Sequence, residues 1–112
     1  MELLLALDFF TISEAKELLR EVGDIIDIVE VGTPLVIKEG IKAVKEIKED
    51  FPSLKVMADL KIMDAGEYEA KMAFEAGADI VTVLGVSDDA TIKASVGQAR
   101  KYNKKIMVDM IG

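Results

Sequence analysis

Val56-Met57-Ala58-Asp59-Leu60-Lys61-Ile62-Met63-Asp64-Ala65-Gly66 begins as an apolar run and ends in three charged residues. In an extended strand Asp59 and Lys61 point to the same face, because side chains alternate with period two. An acid and a cation then stand side by side at the strand's end, with Asp64 just beyond in the loop. Charges withdrawn from water need partners. A structural Asp–Lys pair meets that need, and so does the wall of an active site. The rest of the chain decides between them.

Outward from this strand the same unit recurs. Leu3 to Asp8 is a short apolar run closed by an acid. Thr11-Ile12-Ser13-Glu14 has capping-box spacing, and Ile12, Ala15, Leu18, Leu19 and Val22 follow at helical spacing up to Gly23. Ile25 to Gly32 is rich in β-branched residues, as a strand requires, with Glu30 near its end. After the Thr33-Pro34-Leu35 turn the pattern predicts one helix to about Asp50. Its inner face is Ile37, Ile41, Val44 and Ile47, and Lys42, Lys45, Glu46, Lys48 and Glu49 face outward. Phe51-Pro52 ends it. A third helix is expected from about Ala65 to Ala76, packed through Tyr68, Met72 and Ala73 and closed by Gly77. Asp79 to Gly85 reads as a fourth strand. Ser87-Asp88-Asp89 opens a fourth helix with Ile92, Val96 and Ala99 inside, and Lys104 to Gly112 is a fifth strand holding Asp109.

Five near-continuous apolar strands alternating with four amphipathic helices predict an α/β fold of βαβαβαβαβ order, a parallel sheet covered by helices. Asp8, Glu30, Asp59 and Asp109 then all fall at the carboxyl ends of strands, where parallel α/β proteins hold their ligands. Packing alone does not explain four acids and a lysine at one edge. Asp27 and Asp79, at strand starts, read as turn or solvent residues.

Composition narrows the chemistry. With 112 residues, about half of them hydrophobic, the chain makes one domain with its own core. A net charge of −7 argues against nucleic acid or an anionic membrane as partner. There is no cysteine and no histidine, so carboxylates and lysines must carry any reaction. A metal held by such residues is a hard cation such as magnesium. No basic leader and no membrane-length apolar stretch is present, so a cytoplasmic protein is expected.

Four stretches occur together in order: Leu5-Ala6-Leu7-Asp8, Val29-Glu30-Val31-Gly32-Thr33-Pro34-Leu35, Asp59-Leu60-Lys61-Ile62-Met63-Asp64-Ala65-Gly66 and Ala76 to Gly85. The combination resembles the 3-hexulose-6-phosphate synthase family, phosphate-binding (β/α)8 barrels of the orotidine-monophosphate-decarboxylase-like superfamily. The sister 3-keto-L-gulonate-6-phosphate decarboxylases share most of it. Thr82-Val83-Leu84-Gly85-Val86 with Asp88-Asp89-Ala90-Thr91-Ile92-Lys93 tips the resemblance towards the synthase. It implies a magnesium-assisted aldol condensation of formaldehyde with ribulose 5-phosphate, or its reverse, through an enediolate. It assigns Glu30 and Asp59 to magnesium, Lys61 to the oxyanion or the sugar, and Asp8 to substrate hydroxyls. Asp64 would reach into a neighbouring subunit's site, and Asp109 would line the pocket.

The resemblance also implies a partial structure. The family's barrel has eight strands and this chain supplies five, so residues 1–112 are expected to form the N-terminal half-barrel, without the later catalytic histidine and phosphate-gripping loops. Both sheet edges would be open, and Leu4, Ala6, Ile26, Ile28 and Met57, of the same parity as the acids, would face a bare lumen. Exposed apolar surface costs about 25 cal/mol per Å². The chain is therefore expected to form a homo-oligomer, a dimer first of all, or to rearrange into an open sheet. A catalytically inactive, self-associating module is the alternative to an enzyme.

Overall fold

In the computed structural model, which describes residues 1–112, the apolar runs become five strands. They are β1 (Leu4–Leu7), β2 (Ile28–Val31), β3 (Lys55–Ile62), β4 (Ile80–Leu84) and β5 (Lys105–Asp109). The helices are α1 (Ile12–Val22), α2 (Thr33–Glu39), α3 (Lys42–Asp50), α4 (Gly66–Glu75) and α5 (Asp89–Tyr102). All neighbouring strands pair in parallel, in the sequential order β1-β2-β3-β4-β5. Each crossover therefore moves one strand along in the same direction, as in part of a (β/α) barrel.

The capping box starts α1 as expected. The Glu14 N–H donates to Thr11 Oγ1 (3.1 Å) and the Thr11 N–H to Glu14 Oε1 (3.1 Å). Elsewhere periodicity misled. The single helix expected before Asp50 is two helices, because Gly40 adopts φ 78° and breaks the run. A helical face does not carry across such a break, and Ile37 is exposed whereas Val44 and Ile47 are buried. A 3₁₀ turn at Gly23–Ile25 delays β2 to Ile28, so Ile26 packs into the helix-side core and not towards the lumen. On α4, Tyr68 and Met72 face outward, while Ala70, Ala73 and Phe74 are buried. Small residues win there because α4 lies hard against α5. A Cβ on Gly66 would stand 2.6 Å from Ser95 Oγ. The buried face of α5 is accordingly Ser95, Gln98 and Ala99, with Ile92 and Val96 only half-buried.

One main core lies between sheet and helices. Leu7, Val29, Val31, Val56, Ala58, Val81 and Val83 meet Leu19, Leu35, Val44, Ile47 and Ala73 there. On the opposite sheet face Ile28, Met57 and Ile80 form a separate small cluster with no helical residue in it. Leu4 and Met107 are partly exposed on that face. The helices thus cover one side of the sheet only, and the side that carries the acids is left bare. No helix is long and apolar enough to cross a membrane.

Asp79 is not a solvent residue. It joins three elements at the amino-terminal edge of the sheet, accepting hydrogen bonds from Lys104 Nζ (2.6 Å), Lys48 Nζ (2.9 Å) and the Val56 N–H (2.9 Å). Lys48, expected to face outward, instead folds in and also donates to the Leu54 carbonyl (2.8 Å). Burial alone would raise the Asp79 pKa. The bonds from Lys104, the Val56 amide and Lys48 outweigh it and hold the carboxyl below its ordinary value.

Candidate active site at the carboxyl ends of the strands

The β3 strand does not run extended through its charged end. Ala58 pairs with Val81 and Ile62 with Val83, so Asp59, Leu60 and Lys61 stand opposite the single residue Thr82. Lys61 absorbs the excess at φ 49°. Such a bulge bends a strand and re-aims its side chains. The Asp59–Lys61 proximity expected from simple alternation is therefore real but has a different cause, since Lys61 is folded back onto Asp59 by the bulge. Its Nζ lies 3.0 Å from Asp59 Oδ2 and 2.7 Å from Asp109 Oδ2.

Around this pair the sheet supplies polar partners of matching geometry. Thr82 Oγ1 donates to Asp59 Oδ1 (2.8 Å) and accepts the Lys61 backbone N–H (3.0 Å). Thr33 Oγ1, at the start of α2, shares its proton between the Asp59 carbonyl (2.7 Å) and Asp59 Oδ2 (3.0 Å). Asp59 is buried, yet both its oxygens are satisfied. Asp109 Oδ1 accepts the Ile111 N–H (2.9 Å), which orients its other oxygen at Lys61. The Asp109 bond, ahead of those from Asp59, raises the Lys61 pKa, and Lys61 in turn lowers that of Asp109.

Glu30 joins the cluster from the end of β2. Burial, then the negative charges of Asp59 and Asp8, push its carboxyl above the ordinary value, and Lys61 offsets this only in part. Asp8 sits beyond β1 against Gly32, where a Cβ would run into its carboxylate and lie 2.8 Å from the Leu7 carbonyl. Gly32 is thus needed for the close approach of the β1 and β2 ends. Of the six residues singled out from the sequence, the five expected in one site converge: Asp8, Glu30, Asp59, Lys61 and Asp109. Asp64 does not join them; it is exposed in the loop after β3, and its charge is felt by Glu69 of α4. Sequence reading passed over Thr33 and Thr82. The signal for Thr82 was present, since it is the sole polar residue of β4 and shares parity with the acids.

No three potential ligands stand together as a closed metal cage. A magnesium ion does not need one, because it keeps several waters and takes one or two carboxylates from the protein. Glu30 and Asp59 would supply such a pair: burial first, and after it the charges of Asp59 and Asp8, raise the Glu30 pKa, and a bound cation would relieve that repulsion. The residues fit the group. The larger concavity, lined by Lys55, Ile80, Lys104 and Met107 among others, lies at the opposite end of the sheet from these carboxylates.

Residues 1–112 match, over their whole length, the sequence profile of the orotidine 5'-phosphate decarboxylase / HUMPS family. The chain belongs to this family. It is 68% identical to 3-hexulose-6-phosphate synthase of Bacillus subtilis over 99% of its own length and 53% of that protein's. A crystal structure of 3-hexulose-6-phosphate synthase from Salmonella typhimurium superposes with a TM-score of 0.97 at 50% identity, covering 98% of this chain and 52% of that one. A 3-keto-L-gulonate-6-phosphate decarboxylase from Vibrio cholerae follows at 0.96 and 35%, covering 99% and 52%. This HUMPS-family chain therefore spans about half the length of the relatives it matches, and its five-stranded parallel sheet corresponds to about half of their barrel-type chains.

Proposed function

We propose that residues 1–112 are the N-terminal half-barrel domain of a 3-hexulose-6-phosphate synthase, condensing formaldehyde with ribulose 5-phosphate by aldol chemistry or running the reverse cleavage. The carrying observation is one lysine held between Asp59 and Asp109 beside the desolvated Glu30, all at the carboxyl ends of β2, β3 and β5 in one parallel sheet. Among solved structures, the 50% identity to a synthase against 35% to a decarboxylase favours the aldol reading over decarboxylation.

Magnesium, held by Glu30 and Asp59, would supply fixed positive charge for the enediolate that forms when the ketose loses a proton. Lys61 stays protonated, because its carboxylate partners raise its pKa, and it offers a second cation to the developing oxyanion. Asp109 anchors that ammonium and lines the pocket, where its carboxylate can exchange protons with substrate. Asp8, at the rim against Gly32, binds sugar hydroxyls.

Asp64 is assigned to a neighbouring subunit's site. Its exposure and its separation from its own cluster support this, as does the apolar surface beside it. Val36, Ile41, Leu60, Tyr68 and Met72 line a groove together with Glu69, whose carboxyl feels the Asp64 charge. A homodimer that covers this surface would place Asp64 at the interface. A cytoplasmic location belongs to the same proposal, as suits an enzyme acting on diffusible phosphosugars.

The test is deuterium exchange at C1 of ribulose 5-phosphate, followed by proton NMR in heavy water with and without magnesium. Magnesium-dependent exchange that vanishes in Asp59→Ala and Lys61→Ala supports the proposal. No exchange above buffer, from folded protein, leaves the second reading: a self-associating module that turns nothing over. These residues span about half of the relatives' length, and remote binding energy from the remainder drives such chemistry in a whole barrel.

A further inference from the structure

We propose that Thr82 is a positioning residue for this site: its hydroxyl sets the β3 bulge and thereby aims Lys61 and Asp59. The inference rests on the reading of the cluster as an active site only in its catalytic consequence, not in its geometry.

At the bulge three residues of β3 face one of β4, and the Lys61 N–H there donates to a side chain of the neighbouring strand. A withdrawn amide must find an acceptor. The Thr82 hydroxyl takes that role at 3.0 Å and donates its own hydrogen bond to Asp59 Oδ1 at 2.8 Å. One side chain thus holds the backbone of Lys61 in its left-handed conformation and the carboxylate of Asp59 in one rotamer. A left-handed lysine is strained, and it persists only where its surroundings demand it. Thr82 is almost fully buried, so water cannot replace the hydroxyl. Thr33 holds the Asp59 carbonyl and its second carboxylate oxygen, whereas the Lys61 amide is bonded to Thr82, which separates the two roles.

Thr82→Val keeps the size and β-branching of threonine and deletes the hydroxyl, whereas Thr82→Ser keeps the hydroxyl. Two NMR readouts follow Lys61 directly: hydrogen exchange of its backbone amide, and the ¹H–¹⁵N signal of its side-chain ammonium, visible only when hydrogen bonds hold it. In Thr82→Val the amide should exchange faster by about tenfold or more, and the ammonium signal should broaden away. Thr82→Ser should restore both, and Thr33→Val should leave the Lys61 amide protected. Should Thr82→Val not fold, Thr82→Ala carries the same readouts. Magnesium-dependent C1 exchange should fall by roughly 10–100-fold in Thr82→Val and recover in Thr82→Ser. A Thr82→Val protein whose Lys61 amide stays protected and whose ammonium stays visible overturns the proposal. A wild-type chain that shows the NMR signatures but no C1 exchange upholds the positioning role while removing the aldol reading.

Discussion

Replacing Asp79 by alanine removes the acceptor of two ammonium groups and of one buried backbone amide. The Val56 N–H lies in the core and is left unpaired, at a cost of about 1–3 kcal/mol. The Lys48 and Lys104 side chains are 27% and 35% exposed, so they can rehydrate, and each lost ion pair counts for only about 0.5–1 kcal/mol. Together these give roughly 2–5 kcal/mol, a large fraction of the 5–15 kcal/mol that about spans the stability of whole proteins. At about 4 °C per kcal/mol for a chain of this length, the melting midpoint should drop by roughly 8–20 °C. Asp79→Asn keeps an oxygen for the Val56 amide and should lose about half as much. The assay is urea and thermal unfolding followed by circular dichroism. The sign of the pH dependence follows from the lowered carboxyl. The contribution of Asp79 is fully present above the unfolded pKa near about 4 and is lost as pH falls through the lower folded value. Asp79→Asn should therefore flatten the acid limb of the stability curve and leave its neutral-to-alkaline shape unchanged. A loss under about 0.5 kcal/mol in Asp79→Ala, or an acid limb identical in Asp79→Asn, would refute the reasoning.

Other outcomes follow from the site. Glu30→Gln removes a half-buried charge repelled by Asp59 and Asp8, and should stabilise the chain by about 0.5–1 kcal/mol in urea melts while weakening magnesium binding by calorimetry. A structural network would instead lose stability on that change. Gly32→Ala forces a Cβ into the Asp8 carboxylate and the Leu7 carbonyl, and should cost about 1–3 kcal/mol and abolish C1 exchange. Tyr68→Glu or Met72→Glu places a charge in the groove beside Asp64 and should shift sedimentation towards monomer. Unchanged sedimentation in both would remove this groove from the interface.

Legibility varied along the chain with the source of the signal. The strands and the capping box of α1 were readable because apolar runs and a Thr-x-x-Glu spacing act locally. Asp8, Glu30, Asp59 and Asp109 were readable because each ends an apolar run, and a parallel sheet brings run ends together. Ile37, Tyr68 and Met72 were misassigned because hydrophobicity at helical spacing does not say which face of a helix the sheet covers. Asp79 was underrated because its partners Lys48 and Lys104 lie 31 and 25 residues away and are adjacent only once the sheet forms.

By itself, then, the sequence determined the alternation of strands and helices, the parallel sheet, the family, and which acids would meet at one edge, since all of these depend on periodicity and order along the chain. Tertiary structure decided how they meet. The bulge that turns Lys61 back onto Asp59, and the Thr82 hydroxyl that holds the pair, depend on register between strands. Register is a property of two segments at once, and neither carries it alone.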